Sequence, residues 1–179
     1  PIYKELWKIV QSGELGKMQI MTVNFGSFKE YDMNNRFFNM NLAGGALLDI
    51  GVYATSFART FLSEIPNTIL TTVEYLETGA DEQSGIIMKN TKGEMVVMCL
   101  TLRAKQPKRG VVTGDKGYIE VYEYPRACKA TITNTETGEV EIVEAGKTED
   151  ALKYEVEAME AAIEGNLDIS EERIMSIIR

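Results

Sequence analysis

The chain has 179 residues, 44% hydrophobic and 26% charged, with 4 Pro against 15 Gly; this supports one folded domain with a sizeable core and excludes disordered, collagen-like and low-complexity classes. Acidic residues outnumber basic ones, 27 to 19, and the net charge of −8 argues against a nucleic-acid partner. The sequence contains no histidine, which excludes Ser-His and Cys-His catalysis and any histidine-ligated metal site built from this chain.

Residues 2–12 carry a helical stripe, Ile2, Leu6, Ile9 and Val10, with Trp7 beside it, ended by Gly13 and Gly16. Residues 17–25 read as a strand with Met18, Ile20 and Thr22 on one face and Met21, Val23 and Phe25 on the other. Residues 26–43 are polar and aromatic with little period and read as a long loop, a kind of segment that is often functional. Residues 44–63 are apolar almost all round and read as a buried helix that Pro66 stops. The period then changes to two. Strands are expected at 68–76, 84–90, 94–103, 110–113, 118–122, 127–134 and 139–143, joined by turns that include Gly114-Asp115-Lys116-Gly117. Short turns between consecutive strands imply antiparallel pairing. Leu152, Val156, Met159 and Ile163 mark a helix over 150–164, and Ser170-Glu171-Glu172 opens a last one running to Arg179.

Cys99 and Cys128 show no C-x-x-C spacing and read as reduced, buried thiols of a cytoplasmic protein. No apolar run approaches the roughly 20 residues of a membrane helix, and the start has no signal-peptide pattern, so no membrane partner is expected. In the strand 94–103, Val96, Met98, Leu100 and Leu102 face one way and Val97, Cys99 and Thr101 the other. A sheet with one wet face alternates more cleanly. One face is therefore expected to pack on helices and the other to meet a second copy of the chain.

No G-x-G-x-x-G turn or Walker A motif occurs, no carboxylate cluster has metal-ligand spacing, and Asp81-Glu82 and Glu171-Glu172 read as solvated surface pairs. One segment stands apart: Gly44-Gly45-Ala46-Leu47-Leu48-Asp49-Ile50-Gly51-Val52-Tyr53. A helix this apolar carries a carboxylate only with a partner or a task. Asp49 and Tyr53 are four apart and share a helical face. Gly44, Gly45 and Gly51 let another backbone or a ligand come close. Spacing alone leaves two readings open: a locally hydrogen-bonded Asp with a core tyrosine, or a reactive pair.

This segment resembles the signature helix in the C-terminal domain of the Gfo/Idh/MocA oxidoreductases. Residues 5–17, Arg36-Phe37-Phe38, residues 114–120 and residues 154–159 are similar to the family in the same order, and Tyr53 is the residue of the dihydrodiol dehydrogenase-like branch. The resemblance implies an α+β domain over 1–179 with a large open, mostly antiparallel sheet, as in the C-terminal domain of glyceraldehyde-3-phosphate dehydrogenase. Helices pack on one face, and the open face serves homo-oligomerisation. It also implies that a Rossmann domain holding NAD or NADP, and a catalytic lysine, lie upstream of Pro1.

By the same resemblance Tyr53 is the proton-transfer residue, Asp49 lines the site beside nicotinamide and substrate, and Arg36 contacts the substrate, a sugar, polyol or diol. A free phenol, with a pKa of about 10, is a weak acid–base group at neutral pH; a lysine cation nearby lowers that value. The implied reaction is hydride transfer between a secondary alcohol and the nicotinamide, with no activity expected of this chain alone. The competing expectation is a non-catalytic dimerisation or ligand-binding module of the same fold.

Overall fold

The amphipathic stripe at the start forms α1 (Ile2–Ser12), which buries Ile2 and Leu6 and ends at Gly13 in the left-handed conformation, φ 80°. In the computed structural model, which describes residues 1–165, α1 leads into β1 (Met18–Gly26), and seven further strands follow the site helix. They are β2 (Thr68–Tyr75), β3 (Asp81–Lys89), β4 (Met95–Thr101), β5 (Gln106–Gly114), β6 (Gly117–Tyr122), β7 (Lys129–Asn134) and β8 (Val140–Glu144). The expected helix over 170–179 lies outside the described residues.

All eight strands form one sheet in the order β2-β3-β4-β1-β5-β6-β7-β8. From β2 onward, consecutive strands pair antiparallel as their short turns require, with one exception, β4 and β5. β1 inserts between β4 and β5 and runs parallel to β4, Val23 opposite Met98, and antiparallel to β5, Val23 opposite Gly110. The short turn between β4 and β5 therefore spans a strand instead of closing a hairpin. The sheet matches the expected α+β class: open, mostly antiparallel and covered by helices on one side.

The covered face holds the core. Met21, Val23 and Phe25 of β1, Val96, Met98 and Leu100 of β4, Val112 of β5, and Ile119 and Val121 of β6 are all buried. Against them pack Ala54, Phe57, Ala58 and Phe61 of α2 (Val52–Phe61). Phe57 is the hub, 6.1 Å from Tyr3, 5.1 Å from Tyr124 and 5.2 Å from Phe61 between ring centroids. It lies on Gly110 so closely that a Cβ there would meet the ring at 2.4 Å. The Tyr3 hydroxyl donates to the Tyr124 carbonyl, and burial pushes both phenols above their ordinary range. Each fully buried aromatic or aliphatic side chain contributes roughly 1.5–3 kcal/mol.

The opposite face is open. A row runs from Leu70 on β2 through Ile87, Val97, Thr22, Val111, Glu120 and Thr131 to Ile142 on β8. Leu70, Ile87 and Ile142 are exposed. Cys99 shares this face and is exposed, while Cys128 is half-buried; both are free thiols. The expectation of buried cysteines fails for Cys99 because strand alternation turns it away from buried Met98 and Leu100.

Two helical expectations also change. The 44–63 helix stops at Phe61, where Leu62 turns extended, before Pro66 is reached, and its first two turns leave Leu47, Leu48, Val52 and Tyr53 exposed. In α3 (Ala151–Ile163), Leu152, Val156, Met159 and Ile163 form the anticipated stripe, but all four are exposed. No described helix is long and apolar enough to cross a membrane.

Candidate functional site

The site helix enters through two glycines that nothing larger can replace. A Cβ on Gly44 would lie 2.7 Å from the Asn39 nitrogen and 2.8 Å from the Arg36 carbonyl oxygen. Gly45 has φ +121°, a value that disfavours any side chain, and its N–H donates to the Phe37 carbonyl at 2.9 Å. The sequence anticipated close approach here, and what approaches is the 35–39 loop at Gly44 and Asp81 at Gly45.

Leu47–Gly51 then forms a π turn before α2 begins. Such turns carry one extra residue and recur at functional sites. Gly51 permits this one: a Cβ there would crowd Leu47 Cδ1 at 2.9 Å and Leu100 Cδ1 at 3.1 Å. Alternation and helical period carry no signal for a π turn.

Asp49 projects from the π turn with its side chain 15% exposed, and an Arg36 guanidinium nitrogen meets a carboxylate oxygen at 2.9 Å. Arg36 is itself largely exposed and lies over the Phe37 ring at 4.2 Å, with the Lys29 ammonium 4.5 Å from that ring. The Arg36 end of the pair is exposed to solvent while the Asp49 carboxylate is mostly covered, so the guanidinium balances a carboxylate charge held in the helix entrance.

Tyr53 stands one turn on. It is exposed and packs on Phe25, ring centroids 5.8 Å apart. Phe25 is backed by Tyr124 at 6.2 Å and carries the Lys108 ammonium 5.2 Å from its ring. Among the described residues the Tyr53 hydroxyl makes no hydrogen bond, and none joins it to Asp49. The structure thus joins Arg36 to Asp49 directly and sets Tyr53 apart on an aromatic shelf.

The loop is fixed by its own anchors. Phe38 is fully buried and packs edge-on to Tyr31 at 5.3 Å. The Tyr31 hydroxyl donates to Glu77 at 2.8 Å, and that bond, with the charge of Glu77, raises its pKa. Arg103 bonds Glu82 at 3.2 Å and the Lys29 carbonyl at 3.4 Å.

Asp81 and Glu82, expected as solvated surface residues, are half-buried and bonded. Glu82 holds Arg103, and Asp81 accepts from the Leu47 N–H at 2.8 Å and from the Ser84 hydroxyl at 2.9 Å. No sequence signal identifies Asp81, because its main partner is a backbone group 34 residues away.

Leu47, Leu48, Val52 and Tyr53 leave the site exposed. One concavity of about 420 Å³ lies at the far edge of the sheet between Glu14 and the β7–β8 turn, and another of about 170 Å³ lies between the chain start and α3. Neither touches Asp49 or Tyr53. Among the described residues no group of three Cys, Asp or Glu side chains is placed to hold a metal ion.

Comparison with known proteins gives four findings. The GFO/IDH/MocA C-terminal domain model matches residues 3–120. The trans-1,2-dihydrobenzene-1,2-diol dehydrogenase of Xenopus tropicalis is 30% identical over 122 residues, 68% of this chain and 36% of that protein. An aldose-aldose oxidoreductase from Caulobacter crescentus, solved with glycerol, superposes with a TM-score of 0.81 at 19% identity over 98% of this chain and 55% of that one. A 3-ketoreductase from Actinomadura kijaniata, solved with NADP and TDP-benzene, superposes with 0.81 at 16% identity over 99% and 55%. The chain spans little more than a third of the dihydrodiol dehydrogenase and about half of the two solved structures.

Proposed function

The chain belongs to the GFO/IDH/MocA C-terminal domain family, and from that premise we infer that it is the substrate-side half of a nicotinamide-dependent oxidoreductase acting on a sugar, polyol or diol. The observation that carries this reading is the exposed Tyr53 at the edge of the exposed apolar strip Leu47, Leu48 and Val52, one turn along the helix from the Arg36–Asp49 pair. An exposed apolar strip on a helix that should be buried fits a flat aromatic ring and the domain that brings it. The open geometry fits too, since hydride chemistry needs water excluded and this chain alone does not exclude it.

The nicotinamide, NAD or NADP, supplies the hydride donor or acceptor when bound. The Tyr53 hydroxyl gives the proton to the substrate oxygen in reduction and takes it in oxidation. Asp49 orients a substrate hydroxyl, and Arg36, released from Asp49, holds a neighbouring oxygen. The activities of the relatives, a dihydrobenzene-diol dehydrogenase and an aldose-aldose oxidoreductase, support substrates rich in hydroxyls. The cofactor's phosphates and ribose are held by a second domain, so the chain by itself binds NAD(P)H with no micromolar affinity. We further infer that the open sheet face joins two copies of the chain; the exposed Leu70, Ile87 and Ile142 support it.

The test is Tyr53→Phe in an enzyme that carries this chain with its dinucleotide domain. Turnover is expected to fall by about 10²–10⁴-fold, the usual worth of a positioned acid–base group. The circular dichroism should stay unchanged, because Tyr53 is exposed. Turnover that survives intact removes Tyr53 from the chemistry, and a micromolar dissociation constant for NADPH on the chain alone removes the division of labour.

A further inference from the structure

We propose that Asp81 is a positioning residue: its carboxylate fixes the start of the π turn and thereby the placement of Asp49 and Tyr53, a role that rests on the functional reading of those two residues. Asp81 opens β3, on the sheet beneath the helix entrance. One oxygen accepts both the Leu47 N–H, at 2.8 Å, and the hydroxyl of buried Ser84, at 2.9 Å. The other oxygen stands 2.0 Å from where a Cβ on Gly45 would be. The carboxylate therefore occupies the side-chain space of Gly45 and ties the first N–H of the π turn to the sheet.

The consequence runs along the chain. Gly45 is held on its other side by the Phe37 carbonyl, and its own carbonyl accepts the Asp49 N–H at 3.0 Å. Leu47 is the first residue of the π turn and Asp49 the third. A turn with one extra residue can unwind to the ordinary helical repeat, and that rotates whatever projects from it. The bond from Leu47 to Asp81 is the fixed point against that rotation, and a negative charge at a helix start is also electrostatically favoured. Glu82, the next residue, holds Arg103, which in turn bonds the Lys29 carbonyl. Two adjacent acids thus secure both walls of the site, the helix through Asp81 and the Arg36-bearing loop through Glu82.

The experiment compares Asp81→Ala, Asp81→Asn and Ser84→Ala with Asp115→Ala, which removes a similar backbone acceptor, that of Lys17 N–H, far from the site. In the isotopically labelled 179-residue chain, Asp81→Ala is expected to speed hydrogen exchange at the Leu47 N–H by about tenfold or more. It should also shift the Asp49 carboxyl and Tyr53 ring resonances, with a smaller shift in Ser84→Ala and none in Asp115→Ala. In the two-domain enzyme, Asp81→Ala should lower kcat by about 100-fold with KM within about threefold, and Asp81→Asn, which keeps one acceptor oxygen, should recover part of it. Unchanged exchange at Leu47 overturns the proposal. So does faster exchange with the Asp49 and Tyr53 resonances unmoved, because the bond then serves stability alone. If Asp81→Ala does not fold, Ser84→Ala decides by the same resonances. If the wild-type enzyme shows no turnover, the functional reading falls while the resonances still judge Asp81.

Discussion

The two faces of the sheet have similar side chains and different fates. On the covered face, rings interlock: Phe57 seats on Gly110 and touches Tyr3, Phe61 and Tyr124. On the open face, apolar residues stand in rows mixed with threonines and an Arg109–Glu120 ion pair; Leu70, Ile87 and Ile142 towards its edges are exposed, while Val111 in its middle is buried. The hydrogen bond to the Glu120 carboxylate raises the Arg109 pKa. Apolar content alone does not mark a core; a core needs complementary shape, large rings opposite missing side chains. The covered face stabilises the fold, and the open face is surface still available for association.

The sharpest way to break this comparison is Phe57→Ala. It should cost about 4 kcal/mol of folding stability in urea denaturation, the range for a buried aromatic truncation. A loss near 1 kcal/mol would show that the covered face is no better packed than the open one. Gly110→Ala attacks the same contact from below and should cost about 2 kcal/mol by overpacking. On the open face, Val97→Lys should change the stability of the single chain by less than about 1 kcal/mol, while abolishing self-association in sedimentation. A wild-type chain that is monomeric at micromolar concentration by light scattering removes the dimer from the comparison.

The smallest effect lies at the rim. Glu64 is held below its ordinary carboxylate pKa, first by the hydrogen bond from Thr91 and then by the Lys92 charge. A depressed carboxylate adds stability above the ordinary carboxylate range and loses it as pH falls through the lowered value. The gap in Tm between wild type and Glu64→Gln should therefore be small near neutral pH and close on acidification. A gap that widens in acid reverses the sign assigned to Glu64.

The architecture was legible where period and turns speak. The strand runs from 68 to 143, the α1 stripe ended by Gly13 and the helix from 151 all follow from spacing. Asp49 was legible as a carboxylate out of place in an apolar helix, and Arg36 only through family resemblance. What spacing does not carry is long-range pairing. The parallel β1–β4 contact, the π turn fitted to Gly51 and Leu100, and the Asp81–Leu47 bond each join residues that no local pattern links. Cys99 shows the same limit on a small scale. In a strand apolar on both sides, alternation separates two faces but does not say which one is covered.

The place of β1 in the sheet has a consequence for how the chain acquires its structure. β2-β3-β4 and β5-β6-β7-β8 are two runs of neighbours in sequence, each able to pair locally as soon as it is made. They meet nowhere in the sheet except through β1, whose partners lie far downstream, Ile20 with Met95 and Thr113. Long-range pairings of this kind close slowly. During synthesis β1 emerges first and finds its place last, after β5 has left the ribosome. Until then Met21, Val23 and Phe25 remain unsheltered, and the slow step in folding is the arrival of the oldest strand between two younger ones.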